Sequence, residues 1–290
     1  MGISNTTEKR FEEDIEAFWL SPAGGYTKNM DGYEPKLGLF KDTLIRFVQR
    51  TQPKEWKRFA MQNVIEPEHK FCVAFNNACD MDGVLSVIRK GFKTRGIRFR
   101  VCYFKPSSGL NQTAAALYAK NEVTCNRQWF YGADHKKSVD MVIAVNGIPV
   151  FAFELKNQYT GQTVENAMNQ WMYDRDAREI CFQFNKRILG YFCVDHVDVR
   201  MTTRLAGKAT YFLPFNQGSN GAGKDGGKGN PVNPAGYPTD YLWKKVFQKD
   251  SMLDILQKFI HLQVNKEVRV RQDGSEEIAE KKVLIFPRYH

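Results

Sequence analysis

The chain has 290 residues, 42% hydrophobic and 26% charged, with a formal net charge of +10 and a pI near 9.2. This is ordinary globular composition, with enough length for a full core and one or two domains. No apolar run approaches the roughly 20 residues needed to span a bilayer, and the positive balance favours a polyanionic partner.

The N-terminus has no apolar signal core and matches a myristoylation start only loosely, through Gly2 and Thr6. Residues 7–19 form an expected amphipathic helix, with Phe11, Ile15, Phe18 and Trp19 at helical spacing. Helices are also expected over 38–48 and 82–91, a strand over Arg98–Phe104 and a helix over 110–120. Basic residues cluster at Arg89-Lys90, at Lys93, Arg95, Arg98 and Arg100, and at His135-Lys136-Lys137. A solvated basic face is the plain reading. Next to a carboxylate site, such clusters suit phosphate binding. Six cysteines (Cys72, Cys79, Cys102, Cys125, Cys181 and Cys193) form no CxxC pair and no His-Cys metal spacing. They read as reduced, buried thiols of a cytoplasmic protein.

The most informative stretch runs from Ser138 to Lys156: two apolar strands joined at Asn146-Gly147. Asp140 opens the first strand, and Glu154 and Lys156 close the second. Side chains alternate faces along a strand, so Glu154 and Lys156 share one face. A two-residue turn with regular pairing would put Asp140 opposite Phe153, on the other face. A three-residue loop (Val145-Asn146-Gly147) would put it opposite Ala152 and diagonal to Glu154, roughly 7–8 Å apart. The expectation is that loop, or a bulge with the same effect. A surface hairpin with an ordinary salt bridge is the bland alternative.

Residues 163–175 suit a helix with Thr163 as N-cap and Val164, Ala167, Met168 and Trp171 on one face. Strands are expected at Ile188–Val194, Val197–Leu205 and Tyr211–Leu213. The Gly- and Pro-rich stretch from Asn216 reads as a flexible loop. It contains a near miss to a phosphate-binding loop, Gly218 followed by Gly223-Lys224. Asp225 stands where Ser or Thr is needed, and the next residues cannot propagate a helix, so an ATP site is rejected here. Residues 241–260 read as one or two helices and 265–286 as charged strands. The ending at Phe286–His290 suggests a fragment of something longer.

Phosphodiester hydrolysis needs an activated water, neutralised phosphate charge and a stabilised leaving oxygen. Asp140 and Glu154 offer hard oxygens suited to Mg²⁺ or Mn²⁺, and the backbone carbonyl of Leu155 could add a ligand. Lys156 would hold or help deprotonate the water and offset phosphate charge.

Asp140…Glu154-x-Lys156 resembles the PD-(D/E)xK nuclease motif. The wider text resembles the N-terminal endonuclease region of the R subunit of type I restriction-modification enzymes. The resemblance rests on Phe104–Asn111, Val145–Pro149, Phe153–Asn157 with Thr160–Gln162, Gln170 with Asp174–Asp176, Met201–Leu205, Phe212–Asn216 and Tyr241–Trp243. It implies an α/β fold, a mixed central β-sheet flanked by helices in a restriction-endonuclease-like core, with a C-terminal helical and strand extension. It further implies Mg²⁺-dependent endonucleolytic cleavage of double-stranded DNA, with Mn²⁺ able to substitute. It also implies a complex with methyltransferase and specificity subunits and with no membrane partner. ATP would serve only motor domains outside this sequence. The resemblance makes Asp140 and Glu154 metal ligands and Lys156 the catalytic lysine. Glu12 resembles the family's N-terminal active-site Glu; its plain reading is a solvated helix charge. Gln170 resembles the Gln of a Q-x-x-x-Y element, from which this chain departs because the Tyr stands at 173 and Asp at 174. Val139 replaces the motif's Pro. The implied organisation is a nuclease domain over 1–215, a loop over 216–240, and an extension over 241–290 leading into a helicase-like motor. Two rivals stand beside this: a DNA-binding and docking module with a vestigial nuclease site, and a stand-alone repair nuclease.

Overall fold

The computed structural model describes residues 8–270 and 276–288. Residues 1–7, including Thr7 of the expected first helix, lie outside the described residues, as do 271–275 of the expected charged strands and 289–290 of the terminal stretch.

A seven-stranded mixed sheet forms the centre, with helices on both faces. Its strands, in spatial order, are β1 (Thr27–Lys28), β4 (Val123–Phe130), β5 (Ser138–Val145), β6 (Ile148–Leu155), β7 (Gly190–Val194), β8 (Val199–Thr202) and β9 (Leu213–Pro214). β5 runs antiparallel to β4 and β6, whereas β6 and β7 are parallel. A parallel pair needs a crossover, here supplied by the segment containing α7 (Val164–Asn169). Every residue of β6 is buried, as expected of a strand covered on both faces. On one side Met141, Ile143, Phe151, Phe153 and Phe192 pack with α1 (Glu8–Trp19), α2 (Lys41–Thr51) and the 241–260 region. On the other, Val142, Ala144, Ala152 and Cys193 pack with Val164, Ala167 and Trp171. In α1 the apolar spacing works as expected: Phe11, Ile15 and Trp19 are buried. All six cysteines are buried and unbridged.

Two helices appear where the sequence pattern announced none, α3 (Pro53–Gln62) and α4 (Pro67–Asp82). Each starts on a proline, whose missing N–H costs nothing at a first turn. The 82–91 helix is α5 (Val84–Lys90), bounded by Gly83 and Gly91. The expected strand over 98–104 is much shorter. β3 (Ile97–Phe99) pairs only with β2 (Phe92–Thr94). Beyond it, amide side chains replace a neighbouring strand. Gln52 accepts from the Arg100 N–H at 2.7 Å and donates to its carbonyl at 2.8 Å, and Asn121 does the same for Tyr103.

α6 (Gln112–Ala119) is capped by Asn111, which accepts from the Ala114 N–H. Thr163 stands at the N-cap of α7, its N–H donating to Asn166 at 2.9 Å. The helix expected over 163–175 continues past α7 as a π-helical turn, Gln170–Asp174. No helix or strand forms in 216–240, so Lys224 opens no helix and the phosphate-loop near miss has no structural counterpart. Residues 241–260 supply α8 (Lys249–Asp254) between two π-helical turns, and Tyr241, Trp243, Phe247 and Leu256 join the main core. β10 (His261–Val270) and β11 (Glu276–Ile285) form a separate hairpin. Among the described residues, no single helix is long and apolar enough to cross a membrane.

Candidate active site

The β5–β6 turn corrects one expectation and meets its alternative. The loop is the two-residue Asn146-Gly147, not three residues: Val145 pairs with Ile148, and both loop residues have positive φ, 50° and 82°. Those angles are the ones that Asn-Gly supplies for a type I′ turn. Parity is shifted farther along. Ala144 faces Pro149 and Ile143 faces Phe151, leaving Val150 as a bulge on β6. The register then runs Val142 to Ala152 and Met141 to Phe153, where the pairing ends; continued one step, it leads from Asp140 to Glu154, and the Asp140 charge acts on the Glu154 carboxyl. The bulge changes the parity of the pairing as a three-residue loop would have done.

At this point the backbone ladder gives way to side chains. The Leu155 N–H donates to Asp140 Oδ2 at 2.7 Å. Lys156 Nζ lies 3.9 Å from the same oxygen, donates to the Leu155 carbonyl at 2.9 Å and pairs with Glu8 at 2.6 Å. On the β4 side, Asp140 falls opposite Gln128, which drops out of the ladder with φ of +47°. Its side chain bridges Glu12 and Ser138, donating to Glu12 Oε1 at 2.9 Å and accepting from Ser138 Oγ at 3.0 Å.

Glu154 is fully buried. Arg175 donates to its Oε1 twice, from Nε at 2.9 Å and from Nη2 at 2.6 Å, and Nη2 also donates to the Ser138 carbonyl at 2.7 Å. The second oxygen, Glu154 Oε2, is buried with no hydrogen-bond partner among the described residues. Burial, and then the charge of Asp140, push the Glu154 carboxyl well above its ordinary range, outweighing the opposing pull of Arg175 and Lys156. A buried carboxylate oxygen without a donor is costly, and a divalent cation would relieve that cost for both carboxylates at once.

Glu12 is also buried rather than solvated. It accepts from Arg127 Nε at 3.0 Å and from Gln128, and Arg127 further reaches Glu16 at 3.3 Å. Burial raises the Glu12 pKa, with Arg127 lowering it and Asp140 raising it, so the two acids lie within electrostatic reach. Gln170 is the outlier. It opens the π-helical turn, its Oε1 is buried without a partner, and no hydrogen bond among the described residues joins it to Asp140, Glu154 or Lys156. Tyr173 of the same turn is exposed, and Trp171 is core.

The structure therefore brings together Asp140, Glu154, the Leu155 backbone, Lys156 and Glu12. It adds Arg175, Gln128, Arg127 and Glu8, which sequence pattern alone does not single out. Arg175 lies in one of the stretches that carry the family resemblance, but nothing in its spacing links it to Glu154. The donor set of two carboxylates and a carbonyl suits a hard oxygen-seeking ion, although no group of three His, Cys, Asp or Glu residues with metal-holding geometry occurs among the described residues.

Comparison with known proteins gives one family. Residues 110–210, which include β4 to β8 and all of the carboxylate hairpin, match the family model for the type I restriction enzyme R protein N terminus. A search of curated proteins returns no match.

Proposed function

We propose that this chain, whose residues 110–210 match the family model for the type I restriction enzyme R protein N terminus, is the nuclease module of such an R subunit, cutting double-stranded DNA with Mg²⁺. The observation that carries the proposal is the Val150 bulge. Its register, continued one step, leads from Asp140 to Glu154, whose Oε2 is buried with no hydrogen-bond partner among the described residues.

Asp140, Glu154 and the Leu155 carbonyl would hold the ion, with Mn²⁺ as a substitute. When bound, such an ion acidifies a water and stabilises charge on the phosphate. Lys156, with its stem buried and its ammonium beside Asp140, orients the attacking water and offsets charge on the phosphate. Release from Glu8 would let it do so. Glu12 holds Arg127 and Gln128 at the mouth of the site. Arg175 fixes Glu154 from behind. The module is proposed to span 1–215, with 216–240 a connecting loop and 241–290 the lead-in to an ATP-driven motor. Methyltransferase and specificity subunits would be its partners in the cytoplasm.

The test is cleavage by the assembled complex. Asp140→Ala, Glu154→Ala and Lys156→Ala should each abolish it while the fold and DNA binding persist. Parental cleavage in all three would end the proposal. One observation favours a second reading, a docking module with a vestigial site: Lys156 already spends its ammonium on Glu8 and the Leu155 carbonyl. That reading predicts no heat on Mn²⁺ titration of the parental chain.

A further inference from the structure

We propose that the β2–β3 hairpin is a second, sequence-independent contact for duplex DNA, gripping the phosphate backbone away from the cutting residues. This rests on the nuclease reading only for the identity of the polyanion.

The inner face of the hairpin is a structural anchor. Phe92 and Phe99 pair across the strands and pack with Phe59 of α3 and Phe71 of α4, ring centroids lying 5.0–6.0 Å apart. This aromatic box holds the hairpin in place without help from its outer face. There, Lys93 sits directly opposite Arg98, and Arg95 stands at the turn with φ of +47°. Lys90 and Arg100 flank the two strands. All five cations are exposed; none forms an ion pair among the described residues, and Arg100 Nη1 donates to the Arg89 carbonyl at 2.9 Å. Like charges directly opposite on a strand pair repel and cost stability. Interspersed acids would remove that cost, yet no Asp or Glu occurs between Asp82 and Glu122, a stretch that carries eight Lys and Arg residues. A two-stranded platform anchored by its buried face and carrying one-signed charge is what backbone contact demands: phosphates release counterions to cations that are pre-placed and not neutralised by acids. With only three residues per strand and one face buried, the hairpin cannot enter a groove to read bases, so its contribution is affinity rather than sequence choice. Arg89, from the same run, does not belong to this surface. It donates to the Leu256 and Ile260 carbonyls at 2.6 and 2.7 Å and ties α5 to the 241–260 region.

The experiment is fluorescence anisotropy with a labelled duplex in EDTA across a salt series, so that binding is read without metal and without cleavage. Lys93→Gln, Arg95→Gln and Arg98→Gln together should weaken binding at low salt by about tenfold or more. They should also reduce the slope of log K against log salt by about 2–3, at roughly 0.9 for each phosphate that is no longer neutralised. The control Lys224→Gln, Lys228→Gln, Lys266→Gln removes as much charge elsewhere on the exposed surface and should leave the slope unchanged. Single Lys93→Gln and Arg98→Gln variants, each lowering the slope by about 1, keep the test open if the triple variant does not fold. An unchanged slope in the hairpin variants, an equal loss in the control, or parental binding no tighter to duplex than to polyglutamate would each overturn the proposal. Because no metal is present, this outcome is independent of the cleavage test. A chain that cannot cut can still pass, and one that cuts can fail.

Discussion

Arg175 grips Glu154 by a single carboxylate oxygen, with Nε and Nη2 both on Oε1. Both side chains are almost wholly withdrawn from water, at 7% and 0% exposure. The ion pair thus settles one oxygen and leaves its twin unclaimed.

At a pH high enough for Glu154 to be ionised, removing one partner of such a pair strands a charge in the interior. Arg175→Met should cost about 3–5 kcal/mol in urea unfolding. The double variant Glu154→Gln, Arg175→Met should recover much of that loss, because no charge is left behind. A single variant as stable as the parent would show the pair to be absent in solution.

The Glu154 carboxyl, raised by burial and by Asp140, also gives a signed pH effect. The folded metal-free chain keeps this proton after the unfolded chain, near 4.5, has lost it. Across the interval from about 4.5 up to the folded value the native state binds more protons, so stability falls as pH rises. Glu154→Gln should remove that fall, and, on the proposed metal role, Ca²⁺ held by the ionised form should flatten it in the parent. Thermal melts across pH with and without Ca²⁺ read both effects; identical profiles for parent and Glu154→Gln would contradict the shift.

Gly147 tolerates no side chain. Its φ is +82°, and a Cβ there would come within 2.4 Å of the Phe40 carbonyl and 2.8 Å of the Leu44 nitrogen, both backbone atoms that cannot swing away. Gly147→Ala should destabilise by about 3 kcal/mol or more. Its neighbour Asn146 is buried and donates to the Val101 carbonyl at 2.9 Å while accepting from the Glu122 N–H at 2.7 Å. Asn146→Ala should therefore cost about 2 kcal/mol or more by orphaning those groups. Equilibrium urea curves decide both; losses within error of zero would mean the turn is looser than described.

Arg187 is buried, with no carboxylate partner among the described residues. Its guanidinium donates to the Gly38, Leu37 and Lys186 carbonyls at 2.5–2.7 Å and to Asn76, and lies 5.0 Å from the centre of the Phe75 ring. Arg187→Lys keeps the charge but cannot reach all four acceptors. It should lose about 2–4 kcal/mol, nearly as much as Arg187→Met. A fully stable lysine variant would assign the role to charge alone.

The carboxylate hairpin was legible because apolar alternation and Asn-Gly are local signals. The bulge was half legible. Pro149 lies in a central strand, where proline fits only beside an irregularity, and that pointed to Val150 more directly than loop length did. α3 and α4 escaped because their apolar residues are spread by packing against several partners, and the aromatic box around Phe71 and Phe99 has no simple period. β4 was hidden because Gln128 breaks its alternation. Arg175 could not have been foreseen from spacing, since a turn and a short helix separate it from Glu154.

One residue of excess length on β6 decides which way Glu154 looks. A one-residue deletion or insertion between Gly147 and Phe153 would turn the acid toward the aromatic layer and swing Phe153 into the polar cleft, rather than merely shorten a strand. A second compensating change nearby would set the facing right again. Activity across a ladder of small indels in this strand should therefore alternate with odd and even length, a signature that no gradual loss of packing would produce.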